Sequence, residues 1–169
     1  MQKNYQEENM DFIEVKIKKG EDDNIILGQT HFIKSVEDLY EAIVNIAPSA
    51  NFGVAFNEAS SDRMIRHTGT NKDAENDAIE NCKLVGAGHF FCIVLKDVFP
   101  IQVLNAVKNV SEVCNVFCAS ANPVTVIVAQ TEMGRGVLGI IDGQTPLKVE
   151  GEVDQTNRKA LLRKFGYKQ

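Results

Sequence analysis

His89-Phe90-Phe91-Cys92-Ile93-Val94-Leu95 is the stretch that decides the fold. After its histidine it is wholly apolar, the pattern of a central strand covered on both faces. Its flanks offer the covering layers. Upstream, Ala74, Ala78, Ile79, Cys82 and Val85 recur at helical spacing, with Thr70 or Asn71 as the N-cap. Gly86-Ala87-Gly88 then ends that helix, because glycine supplies the left-handed cap. Downstream, Pro100 suits the first turn of another helix. Ile101 to Val110 is apolar on most sides, which predicts packing on more than one face.

Further out, Phe12 to Lys18 alternates as a strand with one wet face, Gly20 to Asn24 turns, and Ile25 to Gly28 is a second short strand. The two are placed to pair as a hairpin. Ser35 reads as an N-cap, with Glu37 and Asp38 in the first turn. Val36, Leu39, Tyr40, Ile43, Val44 and Ala47 form an apolar stripe ending near Pro48. Phe52–Phe56, Arg63–His67, Asn115–Ala119, Val124–Ala129 and Val137–Ile141 read as strands, and Asp154–Phe165 as a terminal helix. The expected fold class is α/β, a mixed sheet flanked by about four helices. The sequence predicts one domain over residues 11–169 and a loose, disordered tail at residues 1–10.

Composition narrows the function. The net charge of −5, with no run of Lys/Arg, argues against a nucleic-acid surface. The basic group Arg158, Lys159, Arg163 and Lys164 reads as the solvated face of the last helix. No apolar run approaches the roughly 18 residues that span a bilayer. The acidic N-terminus has no secretory h-region. Cys82, Cys92, Cys114 and Cys118 lack Cys-x-x-Cys spacing, and Cys114 and Cys118 lie about 13 Å apart along one strand, too far for a disulfide. All four read as small core residues in a reducing, cytoplasmic compartment.

Several loops carry more reactive groups than a turn needs. Gln29 to Lys34 joins a strand to a helix N-terminus, where unpartnered amides suit an anion. His31 and Lys34 are its candidates, or else ordinary surface residues. Glu58 follows a buried strand and can serve as a general base, a metal-bridging carboxylate or a plain loop acid. Arg66-His67-Thr68-Gly69-Thr70 sets a cation, an imidazole and hydroxyls beside a helix start. That combination can bind a phosphoryl group or carry it on the imidazole; the plain alternative is a polar turn. His89 is a satisfied core histidine or a pocket residue. Arg135, in Gly134-Arg135-Gly136, can fork a phosphate. No Gly-x-x-x-x-Gly-Lys-Ser/Thr loop, Gly-x-Gly-x-x-Gly fingerprint or protein-kinase signature is present.

Taken in order, the segments resemble one family. Ile26-Leu27-Gly28-Gln29-Thr30-His31-Phe32-Ile33-Lys34, continuing to Ala42, is similar to its N-terminal block. Phe52-Gly53-Val54-Ala55-Phe56-Asn57-Glu58-Ala59-Ser60 matches the next. Arg66-His67 with Gly69, Gly86-Ala87-Gly88-His89, the blocks 99–110 and 117–143, and Gly166-Tyr167 complete the likeness. The chain is identified as resembling the adenosine-specific kinases from about residue 11 to the end. Asn57 departs from the small residue or cysteine usual there, and the acidic segment before residue 11 is extra. The resemblance implies an adenine-nucleotide-binding homo-oligomer, a trimer or a multiple of one. It also implies ATP with Mg²⁺, adenosine and AMP as ligands, and a histidine that holds a stable phosphoryl group. It implies site roles for His31, Lys34, Glu58, His67, His89, Asn122 and Arg135. Among these His67 is the first choice for the phosphoryl acceptor, with Arg66 and Thr68 supporting it, and His89 the second. The expected reaction is phosphoryl transfer from ATP to adenosine. The alternative is a nucleotide-binding or phosphohistidine signalling module with little turnover.

Overall fold

The structure, a computed structural model, describes residues 10–169. The expected tail at 1–10 lies, except for Met10, outside the described residues. The elements run β1 (Asp11–Lys16), β2 (Asn24–Thr30), α1 (Ser35–Ile46), β3 (Phe52–Asn57), β4 (Ile65–Gly69), α2 (Lys72–Val85), β5 (Phe90–Leu95), α3 (Pro100–Lys108), β6 (Val113–Ser120), β7 (Val124–Gln130), β8 (Arg135–Asp142) and α4 (Glu152–Lys164).

The fold is mixed α/β: among the described residues there are four helices, and the strands divide into two antiparallel sheets. Five strands lie in the order β4-β3-β5-β2-β6, and three in the order β1-β7-β8. β5 is the centre, buried at every position. Its side chains alternate: Phe90, Cys92 and Val94 face α2 and the three-stranded sheet, while Phe91, Ile93 and Leu95 face α1 and α3. Burying a Phe, Leu or Ile is worth about 1.5–3 kcal/mol, so this strand anchors both cores.

The hairpin expected between β1 and β2 does not form. β1 pairs instead with β7, from Asp11↔Gln130 to Lys16↔Thr125. The connection is pinned elsewhere: the Asn81 side chain accepts from the Lys18 N–H (2.7 Å) and donates to the Lys18 carbonyl (2.8 Å). That contact carries the chain past α2 before β2 begins.

Local signals held at α2. The Asn71 side chain caps it by accepting from the N–H groups of Asp73 and Ala74, and Gly86 closes it at φ 63°. At α1, Lys34 occupies the cap position without a capping side chain; the Ser35 hydroxyl donates to the Phe32 carbonyl instead (2.6 Å). α3 buries only Val103 and Val107, and Ile101 is 64% exposed, so it packs on one face rather than several. Cys82 and Cys92 are buried, but Cys114 is exposed because β6 is an edge strand. α4 buries no residue. No helix among the described residues is long and apolar enough to cross a membrane.

Candidate functional site

β2, β3 and β7 end where β4, β5, β6 and β8 begin. Their loops, with the first residues of β4 and β8, gather His31, Lys34, Glu58, Arg66, His89 and Arg135 at one end of the molecule. Asn122 is not among them. It precedes β7, whose length of about 20 Å separates it from that end. There its amide donates to Asp142 Oδ1 (3.0 Å) and its N–H to the Ser120 hydroxyl (2.9 Å), so it closes a turn.

A cavity of about 270 Å³ opens at the gathered end, walled by His31, Ile33, Phe56, Glu58, Ser60 and His89. His89 is half-buried and lines it. Its ring stacks on Phe56 (5.9 Å between centroids, 16° between planes). Its backbone is at φ 62°, a left-handed conformation that costs a non-glycine residue about 1–2 kcal/mol. It is held there by an N–H bond to the Asn57 carbonyl (2.8 Å) and by accepting from the Thr30 N–H (2.9 Å). Ser61 (φ 54°) and Arg63 (φ 52°) are the other positive-φ non-glycine residues among those described, and both flank Glu58's loop. Such strain collects where surrounding structure fixes a functional geometry.

Glu58 is engaged at both oxygens. Oε1 accepts from Arg66 Nε (2.9 Å) and Nη2 (2.8 Å), and Oε2 from the Met64 N–H (2.8 Å). The Met64 N–H first, and Arg66 second, hold its pKa below the usual glutamate value. A carboxylate so stabilised is a weak proton acceptor and a good anchor for Arg66.

A second hollow, of about 480 Å³, adjoins along the open edge of β4, bounded by Ile33, Val36, Glu37, Met64, Arg66 and His67. Strand alternation separates the Arg66-His67-Thr68 group that the sequence joined. Arg66 and Thr68 pair with Phe56 and Val54, whereas His67 pairs with Ala55 and points toward α2. There Nδ1 lies 2.5 Å from Glu75 Oε1, and Lys72 Nζ lies 3.1 Å from Glu75 Oε2. His67 first, then Lys72, hold the Glu75 carboxyl below its ordinary pKa. Glycine makes this meeting possible: a Cβ on Gly53 would lie 2.2 Å from the Glu75 nitrogen, so only glycine lets the first turn of α2 settle on β3.

Two expected phosphate clamps have other partners. Lys34 Nζ sits 2.5 Å from Asp38 Oδ2 and 2.6 Å from Glu112 Oε1. Glu112 is 3% exposed, and apart from this contact its oxygens have no hydrogen-bond partner. Asp38 first and Glu112 second raise the Lys34 pKa, so its charge is shared between a partly exposed acid and a buried one. Arg135 donates through Nε to Gln130 Oε1 (2.8 Å) and through Nη1 to the Leu84 carbonyl (3.1 Å). It thus complements the negative end of α2. Arg135 also borders a third hollow, of about 570 Å³, shared with Glu58, Arg63 and Gly88.

Glu75, Glu112, Ser61 and Arg63 were not singled out from the sequence. Glu75 carried a faint signal, a first-turn acid of the helix after His67. Glu112 carried none, because its burial depends on β6 meeting the 31–34 loop. Among the described residues no three His, Cys, Asp or Glu side chains converge as a metal site.

A family model for adenosine specific kinases matches residues 15–168. The chain belongs to the adenosine specific kinase family. The crystal structure of the PH1918 protein from Pyrococcus horikoshii OT3 is similar over nearly its whole length. Identity is 39%, the TM-score is 0.91, and the match covers 95% of this chain and 99% of that one. No curated protein matches. Membership in the adenosine specific kinases supports phosphorylation of adenosine as the general activity, with adenosine and ATP as ligand classes.

Proposed function

We propose that the chain moves the γ-phosphoryl group of ATP to adenosine by way of a phosphohistidine on His67. The observation that carries this reading is the pair of hollows meeting at Ile33. One is walled by the stacked Phe56 and His89 rings, the other by Arg66 and His67. A nucleoside base suits the aromatic wall. Its phosphates then extend toward Arg66, a planar fork whose orientation Glu58 fixes. His31 and the Ser60 hydroxyl line the first hollow and supply further donors. Mg²⁺ enters with the nucleotide, because this ion binds through phosphates and one or two carboxylates rather than a full protein cage. Residues 11–169 act as one domain, and the unburied α4 supports assembly with further copies of the chain. The four free cysteines suit a reducing, cytoplasmic setting.

The test is incubation with γ-labelled ATP and Mg²⁺, with and without adenosine. Acid-labile label on the protein that chases into AMP is the expected result. His67→Asn abolishes it with the fold intact. His89→Asn weakens nucleotide binding but leaves residual labelling. Full labelling of His67→Asn transfers the acceptor role to another histidine.

One observation favours the signalling reading. Glu58, with both oxygens engaged and a lowered pKa, is poorly placed to take the proton of an adenosine hydroxyl. Label that stays on the protein with no AMP formed supports that module.

A further inference from the structure

We infer that Glu75 is a positioning residue that holds His67 in its Nδ1–H tautomer and directs the phosphoryl group to Nε2. This rests on the reading of His67 as the acceptor. An ionised carboxylate only accepts hydrogen bonds. With Lys72 Nζ 3.1 Å from its other oxygen, the Glu75 carboxylate is ionised near neutral pH as carboxylates ordinarily are, so the ring nitrogen 2.5 Å from Oε1 carries the proton. The lone pair is then on Nε2, which has no hydrogen-bond partner among the described residues and belongs to a side chain 43% exposed.

The two nitrogens also differ in access. Nδ1 faces the first turn of α2, which Gly53 brings against β3, and the Glu75 carboxylate there is only 14% exposed. An incoming phosphate would meet that negative charge. Nε2 has no such neighbour, and the His67 side chain lines the hollow that Arg66 also borders.

The step balances. The Nε2 lone pair forms a bond to Pγ, the bond from Pγ to the β,γ-bridging oxygen breaks, and ADP leaves with that electron pair. The ring becomes an Nδ1–H imidazolium bearing phosphate on Nε2, and the Glu75 carboxylate offsets the new positive charge. This is the role of a carboxylate that orients a reactive imidazole without itself reacting.

The experiment uses full-length protein labelled with ¹⁵N, with ATP and Mg²⁺ as the probe. Long-range ¹H–¹⁵N spectra read the His67 tautomer, and ¹⁵N–³¹P coupling identifies the phosphorylated nitrogen. The wild type is expected to show the Nδ1–H tautomer and phosphate on Nε2. Glu75→Ala is expected to mix the tautomers and slow labelling on the order of tenfold to a hundredfold, the range found for carboxylates that orient metal-bound histidines. Glu75→Gln keeps an accepting oxygen and is expected to restore the tautomer in part, an outcome a merely structural tether would not give. An Nε2–H tautomer in the wild type, phosphate on Nδ1, or a Glu75→Ala variant with wild-type tautomer and rate overturns the inference. If His67 is never labelled, the acceptor reading fails while the tautomer spectra still judge Glu75.

Discussion

At the Asn122 end of the molecule the polar groups satisfy one another. Ser120 Oγ and Asn122 Nδ2 both donate to Asp142 Oδ1 (2.6 and 3.0 Å), and Asp97 takes the Asn51 N–H and amide (2.8 and 2.7 Å). At the His89 end the accounts stay open. Ser61, Arg63 and His89 sit at positive φ, and the buried Asn57 Oδ1 has no partner. Asn57 holds that end together all the same, since its Nδ2 donates to the carbonyls of Cys82 and Ala87 (3.0 Å each), tying the close of α2 to the loop before β5. The contrast teaches that one end is arranged for stability and the other for presenting side chains to a ligand. Strain and unpartnered acceptors persist only where rigid neighbours impose them.

The largest effect should come from the satisfied end. Asp142→Ala removes the acceptor of two hydrogen bonds and is expected to cost about 2 kcal/mol, read from the denaturation midpoint. ATP-dependent labelling should be unchanged at temperatures where the variant is folded. Loss of labelling by a folded Asp142→Ala protein would break the division between the two ends.

At the strained end the signs reverse. His89→Gly relieves the left-handed backbone while removing the ring that stacks on Phe56. The gain in stability is at most about 1 kcal/mol, because glycine also loses more entropy on folding. Nucleotide affinity should fall, as measured by calorimetry with ATP. A variant that is less stable and binds ATP as before would show that the conformation serves folding alone.

The parts of this division differ in how well the sequence showed them. β5, the caps of α2 and Pro100 at the start of α3 were legible because each depends on side chains within a few residues. The split into two sheets was not, since β1 finds β7 through a register that no local pattern encodes and an anchor at Asn81. Residue types at the site were legible, but their partners were not. Lys34 and Arg135 read as available cations because the buried Glu112 and the end of α2 reach them only in three dimensions. His67 and Glu75 meet because Gly53 lacks a side chain, a condition visible only once β3 and α2 are packed. Asn122 was grouped with the histidines by resemblance, and the length of β7 sets it apart.

The smallest effect sharpens the comparison through acid. Glu58 at one end and Asp97 at the other both have folded pKa values below their ordinary 4.5 and 3.8. For Glu58 the causes are the Met64 N–H and then Arg66; for Asp97 they are the Asn51 N–H and then its amide. A depressed folded pKa means that the stability contribution is present above the ordinary value and is lost as pH falls through the folded one. Each therefore steepens the acid limb of the stability curve, below about pH 4.5 for Glu58 and about pH 3.8 for Asp97. Glu58→Gln and Asp97→Asn should each flatten the limb, Asp97→Asn only slightly because its carboxylate is exposed and screened. Their effects on ligand should differ. Losing the Glu58 charge frees Arg66 from its anchor, so ATP affinity measured near neutral pH should drop in Glu58→Gln and hold in Asp97→Asn. Equal ATP affinities in the two variants would mean that Arg66 does not meet the phosphates, and the distinction between the two ends would then rest on backbone strain alone.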